Sequence, residues 1–238
     1  MKRVLVTRPQ PGAIATADRL AGLGFEPVVL PLTATRPLET GELPEAGDFD
    51  AVVATSSAAL RHAPPQLLRA LSPLPLLAVG EATAEAGARA GFARVESGGG
   101  DSPALAAHVA RSQPPGSRLL YLCGRVRTGA LAERLRKAGF AVTVFETYDT
   151  LPTAAADEAA AVLGAQPVDA VLLYSANAAV LFARLLASRD AGPLLRNARL
   201  LCMSPRTAQA LPPAAQQRAE IAAAPDEASL LRLAGPTG

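Results

Sequence analysis

Asp50-Ala51-Val52-Val53-Ala54-Thr55-Ser56 recurs 119 residues later as Asp169-Ala170-Val171-Leu172-Leu173-Tyr174-Ser175. Each copy is an uninterrupted apolar run that closes on hydroxyl residues. A strand wetted on one face would alternate apolar and polar residues, so the unbroken run predicts a parallel strand covered on both faces. Outward from this pair the repetition continues. Arg3-Val4-Leu5-Val6, a helix pattern, then Gly24-Phe25-Glu26-Pro27-Val28-Val29 matches Arg118-Leu119-Leu120-Tyr121, a helix pattern, then Gly139-Phe140-Ala141-Val142-Thr143-Val144, at an offset of 115. Val79-Gly80-Glu81-Ala82-Thr83-Ala84 matches Met203-Ser204-Pro205-Arg206-Thr207-Ala208 at an offset of 124. A slowly growing offset is what small loop insertions leave in a duplicated unit.

Between the apolar runs lie helix patterns. One begins near Ala13 and is expected to bury Ile14, Ala17, Leu20 and Ala21, stopping at Gly22 to Gly24; another runs from Ala130 through Leu131 and Leu135 to Ala138 and stops at Gly139. Alternating strands and helices predict an α/β fold of two similar, doubly wound parallel-sheet lobes, with a cleft between them as the favoured place for a ligand. The Pro-bearing stretches Leu30 to Pro37 and Glu146 to Pro152 follow the equivalent strand in each half. Proline lacks the ladder donor, so both are expected as exposed connectors that cross between lobes. Gly98-Gly99-Gly100-Asp101-Ser102-Pro103 reads as a turn entering a helix, with Ser102 as cap and Pro103 at the first helical position. The tail from Ala234 to Gly238 is expected to fray.

Composition removes several function classes. The 238 residues carry 23 Lys and Arg against 21 Asp and Glu, a formal charge of +2, which is too small a field to attract duplex nucleic acid. Aromatics at 4% with no Trp leave no stacking platform for bases. Nucleic acid is therefore not an expected partner. Cys123 and Cys202 stand apart at the ends of apolar runs, which suits a reducing compartment and fits neither a disulfide framework nor a zinc cluster. No apolar run approaches the roughly 20 residues of a membrane span, and the start enters a strand without a signal-peptide core. The expectation is a cytoplasmic protein with no membrane partner.

The chemistry that remains is carried by hydroxyls where strands open into helices: Thr7-Arg8-Pro9, Thr55-Ser56-Ser57 and Ser175-Ala176-Asn177. Such hydroxyls cap helices, and the free N–H groups beyond them hold carboxylates or phosphates in the positive field of the helix start. Plain capping accounts for any one of them; their recurrence at the carboxyl ends of strands, where open α/β sheets take ligands, points to anion binding. Gly80 with Thr83, and Ser204 with Thr207, repeat a tight turn and a hydroxyl in each half. Gly124-Arg125-Val126-Arg127-Thr128-Gly129 lacks the Lys-Ser/Thr ending of a nucleotide phosphate loop, yet Arg125 and Arg127 offer forks for carboxylates, or form a solvated loop. His62 and His108, the two histidines, show no metal-ligand spacing and no Ser-His-acid arrangement. Cys123 has no base near it in sequence and reads as a buried thiol. Tyr148 lies in a polar connector, either as a proton donor facing the cleft or as a packing aromatic.

In this order, Val4-Leu5-Val6-Thr7-Arg8-Pro9, Thr55-Ser56-Ser57, Ala78-Val79-Gly80-Glu81-Ala82-Thr83-Ala84, Tyr148-Asp149-Thr150-Leu151-Pro152 and Ser204-Pro205-Arg206-Thr207-Ala208 resemble the uroporphyrinogen-III synthase family over nearly the whole chain. The resemblance implies lobes of residues 1–36 with 152–238 and of residues 41–145, joined by a two-stranded connector at 30–40 and 146–152. It implies a monomeric, cofactor-free and metal-free lyase that cyclises hydroxymethylbilane, a linear tetrapyrrole, to uroporphyrinogen III, inverting the last pyrrole ring and losing water.

Carried over, Tyr148 is the connector tyrosine that protonates the departing hydroxyl; phenols are weak acids at neutral pH, so assistance rather than sole responsibility is expected. Thr7, Arg8, Thr55, Ser56, Ser57, Gly80, Thr83, Gly124, Arg125, Arg127, Ser175, Asn177 and Thr207 are the candidates for binding the substrate. Three positions depart from the family pattern: Ala58 stands where Asn is frequent, Ser204 where Gly is frequent, and Thr128 where Arg is usual unless Arg127 substitutes. A non-catalytic two-lobed binding protein for a small acidic ligand is the competing reading.

Overall fold

The computed structural model describes residues 1–127 and 129–235, without the side chains of residues 156 and 157. Thr128 and the tail beyond residue 235 lie outside the described residues. The strands in chain order are β1 (Arg3–Val6), β2 (Glu26–Val29), β3 (Thr33–Pro37), β4 (Ala51–Ala54), β5 (Pro75–Ala78), β6 (Arg94–Ser97), β7 (Arg118–Gly124), β8 (Ala141–Pro152), β9 (Ala170–Leu173), β10 (Arg199–Cys202) and β11 (Ala219–Ile221). They form two sheets, β11-β10-β9-β1-β2 and β3-β8-β7-β4-β5-β6. The chain divides into two compact units, Met1–Ala34 with Leu151–Gly238 and Thr35–Thr150.

The duplication is visible in strand register. In the first unit Val4 pairs in parallel with Pro27 and with Ala170. In the second, Leu119, 115 residues after Val4, pairs in parallel with Val142, 115 after Pro27, and with Ala51, 119 before Ala170. Val171 opposite Leu200 likewise answers Val52 opposite Leu76, and Leu200 opposite Ala219 answers Leu76 opposite Val95. Sequence repeat and compact unit are nevertheless different objects. The first repeat gives β1 and β2 to one unit and β4, β5 and β6 to the other, and the second repeat fills in the reverse.

Strict alternation sorts each buried strand between two cores. Val4, Val6, Ala170, Leu172 and Leu201 face one side of the first sheet, and Leu5, Val171, Leu173 and Leu200 the other. In the second unit Ala51, Val53, Leu119 and Tyr121 face one core, and Val52, Ala54, Leu120 and Leu122 the opposite one. Both faces of each sheet are thus covered, as the unbroken apolar runs require. Truncating a fully buried leucine such as Leu5 or Leu120 to Ala costs about 2–5 kcal/mol. The helix stops agree with the glycine signals: Gly24 and Gly139, 115 residues apart, take φ of +82° and +90° after their helices, a region that side chains with a Cβ avoid.

Two local expectations are corrected. The first helix, Gly12–Gly22, buries Ala13, Thr16 and Leu20, whereas Ile14 is 57% exposed. The buried face is turned because the Thr16 hydroxyl finds polar partners, which a hydropathy pattern does not register. The helix Ser102–Ser112 is capped by Asp101, whose carboxylate accepts from the Ala104 N–H at 2.7 Å, and not by Ser102. A carboxylate at that position also meets the positive helix end. The residues Glu146 to Pro152 form the second half of β8, with Pro152 at its last position where no further ladder donor is needed.

Candidate active site

In the second unit, hydroxyl side chains collect where β4 and β7 end, beside Tyr148 of β8. Ser56 caps the helix Ser57–His62, accepting from the Ala59 N–H at 3.1 Å, and its Oγ lies 3.0 Å from the Tyr148 hydroxyl. Beside this pair the Thr55 and Tyr121 hydroxyls are 3.0 Å apart. His62, at the last turn of that helix, sets Nε2 2.8 Å from the Thr35 hydroxyl, and its ring centroid is 5.9 Å from that of Tyr148. Burial, and next the Arg61 charge, lower the His62 pKa below its ordinary value. Burial also lowers that of Arg61, opposed by Tyr148, and raises that of Tyr121, partly offset by its bond from Thr55. The cluster is a set of hydroxyls around an imidazole whose neutral form is favoured, with the Arg61 charge beside it.

Two of the candidate arginines are held by this unit's own carboxylates. Arg127 reaches Glu146 at 2.6 Å and the Gly124 carbonyl at 3.0 Å, while the more exposed Arg125 lies 3.5 Å from both Glu146 and Asp149. The Arg127 bond holds the Glu146 carboxyl below its usual range. Gly124 leaves the space that the Tyr148 ring occupies. Gly80 opens the helix Glu81–Arg89 without a side-chain cap, and Thr83 is buried one turn in. Ser57 is half-buried in the first turn of its helix, beside the buried Ala58. Cys123 is buried, which pushes its thiol up to about 11 and leaves little thiolate at neutral pH.

The first unit's carboxyl edge has a different character. Ser175 caps the helix Ala176–Ala187 as Ser56 caps its own, with Oγ again 3.1 Å from the N–H three residues on. Asn177 is half-buried in the first turn. Thr7 is fully buried and donates its hydroxyl to the Leu172 carbonyl at 2.6 Å, so that hydroxyl is spent on the fold. Thr207 is buried too, 3.1 Å from the Ser204 hydroxyl that caps its helix. Arg8 lies 4.5 Å over the Tyr174 ring and 3.3 Å from Glu227, which also takes Arg19 at 2.7 Å, the Tyr174 hydroxyl at 3.1 Å and the Thr16 hydroxyl. Burial, offset by the bond from Thr16, pushes the Tyr174 phenol up to about 12.

Tyr121, His62 and Thr35 in one unit, and Thr16, Tyr174 and Glu227 in the other, are partners that sequence reasoning does not select. Tyr174 is within its reach, because it stands 119 residues after Thr55 in the repeated strand. Glu227 carries the signal of an acidic residue in a first helical turn, just after the Asp226 cap. Among the described residues no group of three or more His, Cys, Asp or Glu is gathered as a metal site, and no helix is long and apolar enough to cross a membrane.

Comparison with known proteins follows the same lines. The family model described as uroporphyrinogen-III synthase HemD matches residues 14–232. No curated protein matches the chain. The fold is similar to solved structures of a uroporphyrinogen-III synthetase from Helicobacter pylori, at 18% identity, 98% coverage of each chain and a TM-score of 0.59, and of a mutant uroporphyrinogen III synthase from Thermus thermophilus, at 21% identity, 88% coverage of each chain and a TM-score of 0.51. With the family match spanning almost the whole sequence and every strand but β1, the chain belongs to the uroporphyrinogen-III synthase family.

Proposed function

We propose that the protein cyclises hydroxymethylbilane to uroporphyrinogen III as a cofactor-independent hydro-lyase. The observation that carries this reading, beside the family match, is the Tyr148 hydroxyl held 3.0 Å from Ser56 within the hydroxyl cluster where β4 and β7 of the second unit end. The reaction begins with loss of the terminal hydroxyl as water, leaving an azafulvene. A phenol whose oxygen is paired with an alcohol can deliver the proton that makes this group leave. The substituted carbon of the last ring then attacks, and the resulting spiro intermediate fragments and recloses with that ring inverted.

Unassisted closure gives the uninverted isomer, so the protein's task is mostly to hold one conformation of a flexible chain. A polyacidic tetrapyrrole needs many weak, well-placed donors, and the candidates are the helix starts behind Ser56, Ser175, Gly80 and Ser204, together with Arg8, Arg125 and Arg127. Engaging those arginines requires the substrate's carboxylates to compete with Glu227, Glu146 and Asp149. We place the reaction in the cytoplasm, on a monomer, without nucleic-acid partners.

The test is incubation with hydroxymethylbilane followed by isomer analysis of the oxidised product. The expected outcome is the type III isomer formed faster than spontaneous closure. A non-catalytic binder would retain the ligand and leave the spontaneous isomer unchanged, and that result would replace the enzymatic reading.

A further inference from the structure

Tyr148 reaches Ser56 only because its strand breaks alternation. Val142 and Val144 lean on one core of the second unit and Phe145 on the other. Regular alternation would return residue 148 to the side of Val142 and Val144, away from the helix that Ser56 caps. Instead, Cys123 pairs with Glu146 and Gly124 with Tyr148, so Thr147 is the extra residue of a β-bulge. Bulges are rare between parallel strands, and they re-aim the side chains that follow them. Tyr148 accordingly packs on the same core as Phe145.

Two residues sustain this arrangement. Thr147 is fully buried and donates its hydroxyl to the Ala59 carbonyl at 2.8 Å, on the helix whose cap is Ser56, while its own carbonyl accepts from the Leu38 N–H at 3.0 Å. Across the bulge, the Arg125 N–H donates to the Tyr148 carbonyl at 2.8 Å. Gly124 lies directly beneath the ring: a Cβ there would stand 2.6 Å from Tyr148 Cζ and no more than 3.0 Å from both Cε atoms. A contact that short forces the ring aside.

We infer that Thr147 and Gly124 are positioning residues, the bulge and the bare Cα together aiming the Tyr148 hydroxyl at Ser56. This rests on the reading of Tyr148 as proton donor, and it reassigns Gly124 from holding substrate to making room for the phenol.

The experiment compares Gly124→Ala, Thr147→Val and Thr147→Ser, each alone and with Tyr148→Phe, by kcat and KM on hydroxymethylbilane and by NMR of ¹³C-labelled tyrosine rings, of which the chain has three. Gly124→Ala and Thr147→Val should each lower kcat to within about twofold of the Tyr148→Phe value, with KM little changed. Adding Tyr148→Phe should then cost no more than about a further twofold. Thr147→Ser keeps the hydroxyl and should keep most of kcat. The Tyr148 ring signals should shift in the two disruptive variants. Full additivity with Tyr148→Phe, or unshifted ring signals, overturns the inference. If Tyr148→Phe alone retains full activity, the proton-donor reading fails while the ring shifts still decide whether Thr147 and Gly124 aim the side chain. Should Thr147→Val not fold, Gly124→Ala carries the test, because it leaves the bond to Ala59 in place.

Discussion

The carboxyl edges of the two sheets share strand order, register and one helix cap, yet their side chains do opposite things. Ser56 and Ser175 hold their helices with the same 3.1 Å bond. Beside Ser175 the edge is ionic and closed on itself: Glu227 binds Arg8 and Arg19, and a half-buried Tyr174 fills the space under Arg8. Beside Ser56 the contacts run from hydroxyl to hydroxyl or imidazole, Ser56 with Tyr148, Thr55 with Tyr121 and Thr35 with His62, and the ion pairs of Arg125 and Arg127 with Glu146 and Asp149 take no part in these bonds. The repeat therefore holds what the backbone needs and leaves the next position free to vary, Thr55 in one copy and Tyr174 in the other. At the first edge the phenol is tied to a carboxylate, which accepts its hydrogen bond; at the second the Tyr148 phenol is paired with an alcohol and keeps a proton to give.

The sharpest way to break this contrast is to remove each edge's phenol. Tyr148→Phe keeps the ring and its packing but deletes the donor, and turnover should fall about 10²-fold, the lower end of general-acid help, because the substrate also ionises slowly by itself. The product should remain the inverted isomer. Tyr174→Phe should instead cost about 1 kcal/mol of stability in urea titration, since the Thr16 and Glu227 bonds are lost, with turnover within about twofold of the parent. A larger catalytic loss from Tyr174→Phe would mean that the ionic edge, and not the hydroxyl one, carries the chemistry.

Next in size is the ionic edge itself. Glu227→Gln leaves Arg8 and Arg19 without their shared carboxylate. Those side chains are partly screened by water, so the expected loss is about 1–2 kcal/mol, read as a lower urea midpoint with unchanged slope. An unchanged midpoint would show that the pairs are solvated and that this edge is as open as the other.

A smaller effect separates capping from chemistry. Ser56→Ala and Ser175→Ala each delete one helix cap and should each cost about 1 kcal/mol. Only Ser56→Ala also deprives Tyr148 of its partner, so it should slow kcat, whereas Ser175→Ala acts through stability and substrate affinity. Equal effects on kcat would make the two edges equivalent.

How much of this is legible in the sequence depends on the range of the contacts. The parallel sheets are written in unbroken apolar runs, and the duplication in offsets of 115, 119 and 124 that return as strand register. Ser56 and Ser175 are readable as caps because a cap is local. The hydropathy pattern misplaces the buried face of the first helix because Thr16 is polar, and its partners Tyr174 and Glu227 lie 158 and 211 residues away. The bulge at Thr147 leaves no mark in residue type, since one extra residue in a strand of valines and threonines changes no local propensity. Thr7 looks like a ligand hydroxyl for the same reason: its carbonyl partner, Leu172, belongs to a strand distant in sequence. Motif order carries the family, while side-chain pairing across elements decides which hydroxyls are spent and which stand at the edge.

The smallest expected effect is a pH dependence that belongs to the second unit's hydroxyl cluster. Burial, and then the Arg61 charge, hold the His62 pKa below its ordinary 6.5. Between that lowered value and 6.5 the unfolded chain binds a proton at this position that the folded chain does not, so stability rises with pH across this interval and is lost as pH falls through it. The carboxylates with lowered pKa, Asp50 and Glu146 in this unit and Glu220 and Asp226 in the other, have ordinary values of 3.8 or 4.5, so their contribution is lost only in more acidic solution. The difference between parent and His62→Gln urea midpoints from pH 7 down to about pH 5 therefore isolates this imidazole from the second histidine, His108, which is paired with Glu96. His62→Gln, which keeps an amide within reach of the Thr35 hydroxyl, should flatten the decline over this range while leaving the steeper acid loss in place. If the decline persists in His62→Gln, the imidazole is hydrated and ordinary, and the second unit's edge is less secluded from water than its packing against Tyr148 indicates.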